Sequence, residues 1–459
     1  MNINSAIDKL GGSTSNHNDP IQRICVIGLG RIGLPLALLL ADKEYEVVGL
    51  DVSKLLLEDI NEIKLNEKIF EEEIRLLKKH LNVNFSVTND LNVALSKSEA
   101  VFIAIGTGIM EDGTPDLSPL TKLISNLCEK PENIANKLII LKSTIPIGTT
   151  RELASKIEEY TNLKVGRDFF MAFCPERVLG DKAIYEMTVV PKIIGALDEI
   201  SKTKAISIYK KLGGKIIVVN TTEEAELIKL IDNSYRQTMF AFANDISLIT
   251  SKLGINCYEL IKNANDDYPR NKIPQPSGGV SGYCLTKDPL YLETFFKDIS
   301  AERGHSSVWY AARKSNDYMP RYMVNLLKEK MEKTGKQLKD SNVLVCGITY
   351  KENTDDTRFS HGFEIVNYLR KEGANVLVWD PLIRRPIKDY HFVDKPDEIL
   401  SSLDALIFTV KHKEFLELCQ DNRIVEMLSK MRTPILIDGW GIFQSLNSNP
   451  NVIYSGIGV

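Results

Sequence analysis

At 459 residues the chain is longer than one hydrophobic core usually serves, since domains run to roughly 100–200 residues, so two or three domains are expected. Its 57 basic and 61 acidic side chains leave a net charge of -4 beside 43% hydrophobic residues, a globular balance that points away from nucleic acid and from an anionic membrane as main partner. No run reaches the roughly 18–20 apolar residues of a membrane helix. The seven cysteines are odd in number and form no C-x-x-C pair, which argues against a disulfide framework or structural zinc and for a reducing cytoplasm.

Residues 1–20, rich in Asn, Ser and Gly and without the apolar stretch of a signal peptide, read as a flexible lead-in. Ile24-Cys25-Val26-Ile27 reads as a buried strand, 33–41 as a helix and Val47-Val48-Gly49-Leu50 as a second strand, the alternation of a parallel, doubly wound sheet. A charged helical stretch at 55–81 and strands at 100–105, 138–141 and 169–173 continue a nucleotide-binding domain assigned to 21–205. Thr221 followed by Glu224 resembles a capping box, and it opens a proline-free helical pattern through Leu253, long enough to bridge domains and support a dimer. A Gly/Pro-rich loop at 274–289 and further helices to about Thr334 complete a central helical domain, 206–334. Strands at 343–346, 376–379, 405–410 and 435–437 restart the α/β alternation in 335–459, without a second G-x-G-x-x-G. The fold class expected is therefore α/β: two Rossmann-like, doubly wound parallel-sheet domains joined by a helical domain with one long helix.

Gly28-Leu29-Gly30-Arg31-Ile32-Gly33 lies between a strand and a helix, where glycines permit a tight turn, close approach of a pyrophosphate and close helix packing. The helix N-terminus faces the phosphates with its partial positive charge. Asp51 ends the second strand at the spacing of a carboxylate that accepts from ribose hydroxyls and repels a 2′-phosphate, which favours NAD over NADP. Further along, Cys284 follows Gly278-Gly279-Val280-Ser281-Gly282-Tyr283, a run in which backbone can approach a substrate and a thiol can reach it. Lys287 and Asp288, read as part of the same loop, supply a cation that favours thiolate and a carboxylate that can activate water. Lys229 and Asn233, four apart on the long helix, share a face and are suitable donors to an oxyanion. The other cysteines read as inert core residues.

Taken in order, several motifs resemble the UDP-glucose/GDP-mannose dehydrogenase family over nearly the whole chain after Pro20. They are Val26-Ile27-Gly28-Leu29-Gly30-Arg31-Ile32-Gly33-Leu34-Pro35, Glu111-Asp112-Gly113-Thr114-Pro115-Asp116, Lys142-Ser143-Thr144-Ile145-Pro146-Ile147-Gly148-Thr149 and Cys174-Pro175-Glu176-Arg177-Val178-Leu179. Glu226-Leu227-Ile228-Lys229-Leu230-Ile231-Asp232-Asn233-Ser234-Tyr235-Arg236 follows, with Ala241-Phe242-Ala243-Asn244, Pro269-Arg270, the cysteine segment and Lys351-Glu352-Asn353-Thr354-Asp355-Asp356-Thr357-Arg358.

The resemblance implies an NAD-dependent, four-electron oxidation of the C6 alcohol of a UDP-sugar, with Cys284 capturing the aldehyde as a thiohemiacetal that becomes a thioester. Lys229 and Asn233 would stabilise the oxyanion, Asp288 would assist proton transfer, and Thr144 and Glu176 would position water or substrate. Gly28, Gly30, Arg31, Ile32, Gly33, Asp51, Thr107, Thr144, Lys287 and Arg358 are thereby expected at the cofactor. Glu176, Arg177, Val178, Lys229, Asn233, Arg236, Arg270, Gly279 and Lys351 are expected at the substrate, Arg270 from the partner of a homodimer. No metal is expected, and the product would serve polysaccharide or glycan synthesis. Simpler readings stand beside these: Thr144 as a strand-end cap, Glu176 paired with Arg177, and Lys351 and Arg358 as surface charges.

Departures from the family's usual pattern occur at Ser281-Gly282, at Tyr283, at 104–108, at Gly180-Asp181 and at 62–72. The motifs look most like the branch acting on UDP-N-acetylmannosamine or UDP-N-acetylglucosamine, with UDP-glucose and GDP-mannose as alternatives. Two rivals remain: a β-hydroxyacid-type dehydrogenase, which needs no cysteine, and a nucleotide-sugar-binding module without turnover.

Overall fold

A computed structural model of the protein describes residues 20–67, 70–178 and 182–459. The lead-in before residue 20 and the Gly180-Asp181 departure lie outside the described residues. The chain divides into two compact units, one formed by residues up to Met110 with Pro115–Lys229, the other by Glu111–Thr114 with Leu230–Val459. No helix among the described residues is long and apolar enough to cross a membrane.

The first unit is built on an eight-stranded sheet. Its strands are β1 (Arg23–Ile27), β2 (Glu46–Leu50), β3 (Phe85–Thr88), β4 (Ala100–Ile103), β7 (Leu138–Leu141), β8 (Phe170–Phe173), β9 (Lys192–Ala196) and β10 (Ile216–Val218), in the order β10-β9-β8-β7-β4-β1-β2-β3. Every pairing is parallel except β8 with β9. Central strands such as Leu138–Leu141 are continuous apolar runs because helices cover both faces, leaving no polar side to alternate with. A small antiparallel pair, β5 (Gly108–Ile109) with β6 (Pro115–Asp116), follows β4.

Three expectations change here. The stretch 55–81 is two helices, Lys54–Asn61 and Glu71–His80, separated by a turn in which Ile63 takes φ 52°. Glu71, Glu72 and Glu73 begin the second and Lys78, Lys79 and His80 end it, the charge order a helix dipole favours. The boundary at 205/206 falls inside the helix Glu199–Leu212, whose Ala205, Ile208, Tyr209 and Leu212 belong to the core of the first unit. The long helix, Thr222–Leu253, is capped as Glu224 N–H donates to Thr221 Oγ1 (3.1 Å), but the Glu224 carboxylate accepts from Asn220 N–H (3.0 Å), one residue earlier than a capping box places it.

In the second unit the helices Cys257–Asn265, Tyr283–Thr294, Lys297–Arg303 and Val308–Lys333 precede a five-stranded parallel sheet. Its strands are β11 (Asn342–Cys346), β12 (Asn375–Trp379), β13 (Ala405–Phe408), β14 (Ile435–Asp438) and β15 (Ile453–Gly456), in the order β12-β11-β13-β14-β15. Met319, Met323, Leu327 and Met331 of Val308–Lys333 share one core with Val343, Ile407 and Ile437 of this sheet.

Candidate active site

In the first unit the glycine turn sits at the carboxyl end of β1, next to β4, where the strand order reverses and doubly wound sheets bind ligands. Gly28 has φ 88°, and a Cβ there would meet the Ala104 carbonyl oxygen at 2.9 Å. On Gly33 a Cβ would come within 1.7 Å of the Gly28 oxygen, so the helix Gly33–Asp42 can begin this close to the strand only with glycine. A Cβ on Gly30 would meet no protein atom within 4 Å, so glycine there keeps clear the approach of a ligand and not a packing contact. Asp51 Oδ2 accepts from Leu29 N–H (2.8 Å) and Oδ1 from Ser53 N–H (2.9 Å), which fixes the carboxylate while each oxygen keeps a lone pair for a ribose hydroxyl. These residues fit a dinucleotide. Arg31 stacks over Phe70 (4.7 Å), and Ile32 is the residue from which the helix starts.

Thr107, buried, donates through Oγ1 to the Thr144 carbonyl (2.6 Å), tying the segment after β4 to the segment after β7. Glu226 of the long helix holds that second segment: its carboxylate accepts from Gly148 N–H, Thr150 N–H and Thr150 Oγ1, at the N-terminus of Thr149–Thr161. Two residues before Thr144, Lys142 belongs to a buried charge cluster. Glu176 is paired with Lys142 (2.9 Å) and more loosely with Lys192 (3.9 Å), and Lys142 also donates to Tyr209 Oη (3.1 Å). Burial opposes ionisation of Glu176, but Lys142 and then Lys192 outweigh it and hold its carboxyl below the usual range. Burial pushes Lys192 down to about 8 in spite of Glu176. Pairing of Glu176 with Arg177 is corrected: Arg177 gives its backbone N–H to Glu176 (3.0 Å) while its guanidinium donates to the Pro191 carbonyl (2.8 Å). Val178 packs against the core of the first unit.

In the second unit Cys284 is the exposed one of the seven cysteines. The expected loop ends earlier than read, because the helix Tyr283–Thr294 begins at Gly282 (φ 95°) and contains Pro289. Cys284 therefore stands in the first helical turn, where the helix dipole favours thiolate, and Lys287 and Asp288 lie on the same helix, not in a loop. Lys287 donates to Asp288 Oδ1 (2.6 Å) and Asn233 Nδ2 donates to Asp288 Oδ2 (2.5 Å), all three side chains being buried. One Asn233 N–H is thus committed to Asp288, which leaves the other for an oxyanion. Burial works against the Lys287 charge, but Asp288, Tyr291 and Cys284 outweigh it and raise its pKa. Arg358, bidentate on Asp356, lies over the Tyr283 ring (4.9 Å), with Lys287 5.3 Å from the same ring. By contrast burial pushes the thiols of Cys25 and Cys174 up to about 12 and that of Cys128 to about 11.

The second sheet repeats the construction of the first. Gly347 (φ 91°) donates to the Trp379 carbonyl (2.7 Å) as Gly28 does to Leu50 (2.8 Å). Asp380, following β12, accepts from Ile348 N–H (2.8 Å) as Asp51 does from Leu29. Gly362 lies against Gly347, where a Cβ would come within 2.9 Å of its oxygen, in the manner of Gly33 against Gly28. Lys351, whose carbonyl accepts from Thr349 Oγ1 (2.9 Å), and Arg358 belong to the excursion 348–360 between these glycines. Gly279 has a packing reason for its identity, since a Cβ would meet His361 Nδ1 at 2.2 Å. Lys229 is buried one turn from Asn233, Arg236 is exposed, and Arg270, also exposed, lies beside Tyr268 (3.3 Å to Oη). Sequence reasoning missed Lys142, Lys192, Arg313 and Asp380; only Asp380 left a readable signal, its place one residue after a strand, as with Asp51.

A glycine turn built for a dinucleotide and an exposed cysteine at a helix start fit an NAD-dependent dehydrogenase. The chain belongs to the UDP-glucose/GDP-mannose dehydrogenase family: residues 22–213 match its NAD binding domain, 223–318 its central domain and 344–445 its UDP binding domain. It is an NAD-dependent oxidoreductase of nucleotide sugars. It is similar to the UDP-N-acetyl-D-mannosamine dehydrogenase of Pyrococcus horikoshii, 34% identical over 95% of this chain and 99% of the relative. The solved structure of the UDP-D-ManNAc dehydrogenase from that organism superposes with TM-score 0.84 at 33% identity, covering 95% of this chain and 99% of the other. A UDP-glucose dehydrogenase from Pyrobaculum islandicum superposes with TM-score 0.81 at 26% identity, covering 97% and 100%.

Proposed function

We propose that the chain oxidises the C6 alcohol of UDP-N-acetyl-D-mannosamine to the carboxylate, with Cys284 holding the substrate between two oxidations. The observation that carries the reading is the exposed Cys284 in the first turn of Tyr283–Thr294, with Lys287, Asp288 and Asn233 buried behind it. The names and identities of the relatives support the choice of sugar.

Gly28, Gly30, Gly33 and Asp51 would hold NAD, with Thr107 and Arg358 as further contacts, and NAD would supply acceptance of the hydride at each oxidation. The Cys284 thiolate adds to the aldehyde carbon, forming a C–S bond and an oxyanion that Lys229 and the second Asn233 N–H stabilise. Loss of the second hydride turns this thiohemiacetal into a thioester. Water then adds, the C–S bond breaks, and the products are the carboxylate and the thiol. Asp288 moves the proton, and Thr144 and Glu176 position the water. Covalent capture keeps the aldehyde from escaping while spent cofactor is exchanged. Lys351, Arg177, Val178, Arg236 and Gly279 contribute to the nucleotide-sugar site.

Two copies pair through the long helix. Ile231, Tyr235, Phe242, Ile249 and Leu253 are exposed and fall within an arc of about 40° on that helix, which supports an apolar seam. Arg270 serves the partner's substrate. Seven cysteines without a disulfide support a cytoplasmic setting. The test is turnover of purified protein with NAD and, separately, UDP-N-acetylmannosamine, UDP-N-acetylglucosamine, UDP-glucose and GDP-mannose. The highest kcat/KM is expected with UDP-N-acetylmannosamine; a preference of ten-fold or more for another sugar overturns the assignment.

A further inference from the structure

The geometry points to Arg313 as the positioning residue for the nucleophile: its guanidinium donates to the backbone on both sides of Cys284, to the Val280 carbonyl through Nη2 (3.1 Å) and to the Leu285 carbonyl through Nη1 (3.5 Å). This rests on the reading of Cys284 as the nucleophile.

Two features of the segment create the need for such a brace. Pro289 has no N–H, so the Leu285 carbonyl lacks the donor that an uninterrupted helix supplies four residues on. Gly279 (φ 123°) and Gly282 (φ 95°) make the approach to the helix permissive, since no Cβ restricts it. The second sheet's turn fixes the segment by two hydrogen bonds: Gly282 N–H donates to the Phe359 carbonyl (3.1 Å), and the Ser281 side-chain Oγ accepts from His361 N–H (2.9 Å). Arg313 braces it from the helix Val308–Lys333.

The guanidinium divides its donors between the two carbonyls and Asp317, whose Oδ1 lies 2.7 Å from Nη2 and 2.8 Å from Nε. The Arg313 side chain is 5% exposed, whereas Asp317, one turn on, is 49% exposed and screened by water. Only a planar fork reaches two carbonyls and a carboxylate together; a lysine ammonium in its place lacks that span. With the helix start held, the Cys284 thiolate stays in the field of the first-turn N–H groups.

The experiment uses the full chain as wild type, Arg313→Met, Arg313→Lys and Asp317→Asn. The rate of iodoacetamide alkylation at Cys284 is followed against pH by peptide mass spectrometry, beside kcat and KM with UDP-N-acetylmannosamine and NAD. Both Arg313 variants are expected to alkylate about two- to five-fold more slowly at neutral pH, with the midpoint moved up, the size of a lost helix-terminus interaction. Their kcat is expected to fall by on the order of ten- to a hundred-fold with KM for NAD unchanged. Asp317→Asn is expected to follow wild type. Arg313→Lys keeps charge and bulk, and native tryptophan fluorescence in it separates lost geometry from failure to fold. An Arg313→Met profile superimposed on wild type, or Asp317→Asn matching Arg313→Met, overturns the inference. A shifted alkylation profile with unchanged kcat upholds the brace and overturns the nucleophile reading.

Discussion

Replacing His361 by Gln should flatten the acid limb of stability of the second unit. His361 is 5% exposed and opens the helix His361–Lys371 with its ring against Gly279. Burial, with the Arg313 charge adding to it, pushes its pKa down to about 3 from 6.5, and its Nδ1 has no hydrogen-bond partner among the described residues. A histidine depressed in the folded state contributes stability that is whole above about 6.5 and is lost as pH falls through the window between 6.5 and 3. At pH 5 the unfolded chain takes the proton and the folded chain does not, which corresponds to about 2 kcal/mol relative to pH 8. The three tryptophans, Trp309, Trp379 and Trp440, all lie in the second unit, so urea unfolding followed by tryptophan fluorescence reads that unit by itself. Wild type should lose about 2 kcal/mol more than His361→Gln between pH 8 and pH 5. Equal losses in the two proteins would refute the burial argument.

Gly33→Ala should abolish NADH binding, measured by cofactor fluorescence, because its Cβ has no room against the Gly28 oxygen at 1.7 Å. Lys142→Met leaves Glu176 buried with only Lys192 near it and should destabilise the first unit by about 3–5 kcal/mol in urea followed by circular dichroism. The double variant Lys142→Met/Glu176→Gln should recover a substantial part of that loss, and no recovery would mean the pair is not what the cluster depends on. Tyr283→Ala removes the face on which Arg358 and Lys287 lie and should raise KM for NAD about five-fold, at about 0.5–1 kcal/mol per contact, while Tyr283→Phe should stay near wild type.

The first nucleotide turn was legible because its three glycines fall within six residues and a strand followed by Asp51 comes at a fixed spacing. Its counterpart in the second sheet was not, since Gly347 and Gly362 are separated by the excursion 348–360 and only Asp380 keeps its place. Strand β10, three residues long, carries too little periodicity to register, and the alternating Phe-Ser-Val-Thr of β3 reads as surface. The cysteine segment was taken for a loop through Pro289 because glycines and a proline flank it, yet the helix starts at Tyr283 and a side chain distant in sequence compensates the proline. Lys142, Lys192 and the carbonyl contacts of Arg313 have no local signature: a buried cation is recognised by what folds around it, and these partners lie 16 to 34 residues away. Cys284 was legible from its motif, but its distinction from the other thiols is physical, as it is exposed at a helix start while burial raises Cys25, Cys128 and Cys174.

The central claim is that Cys284 carries the substrate through two oxidations. The direct test is the number of NADH formed per molecule of limiting UDP-N-acetylmannosamine, with excess NAD, by wild type and by Cys284→Ala. Two NADH per sugar with wild type and no uronate from the variant is the predicted result; full conversion to the uronate by Cys284→Ala would contradict it.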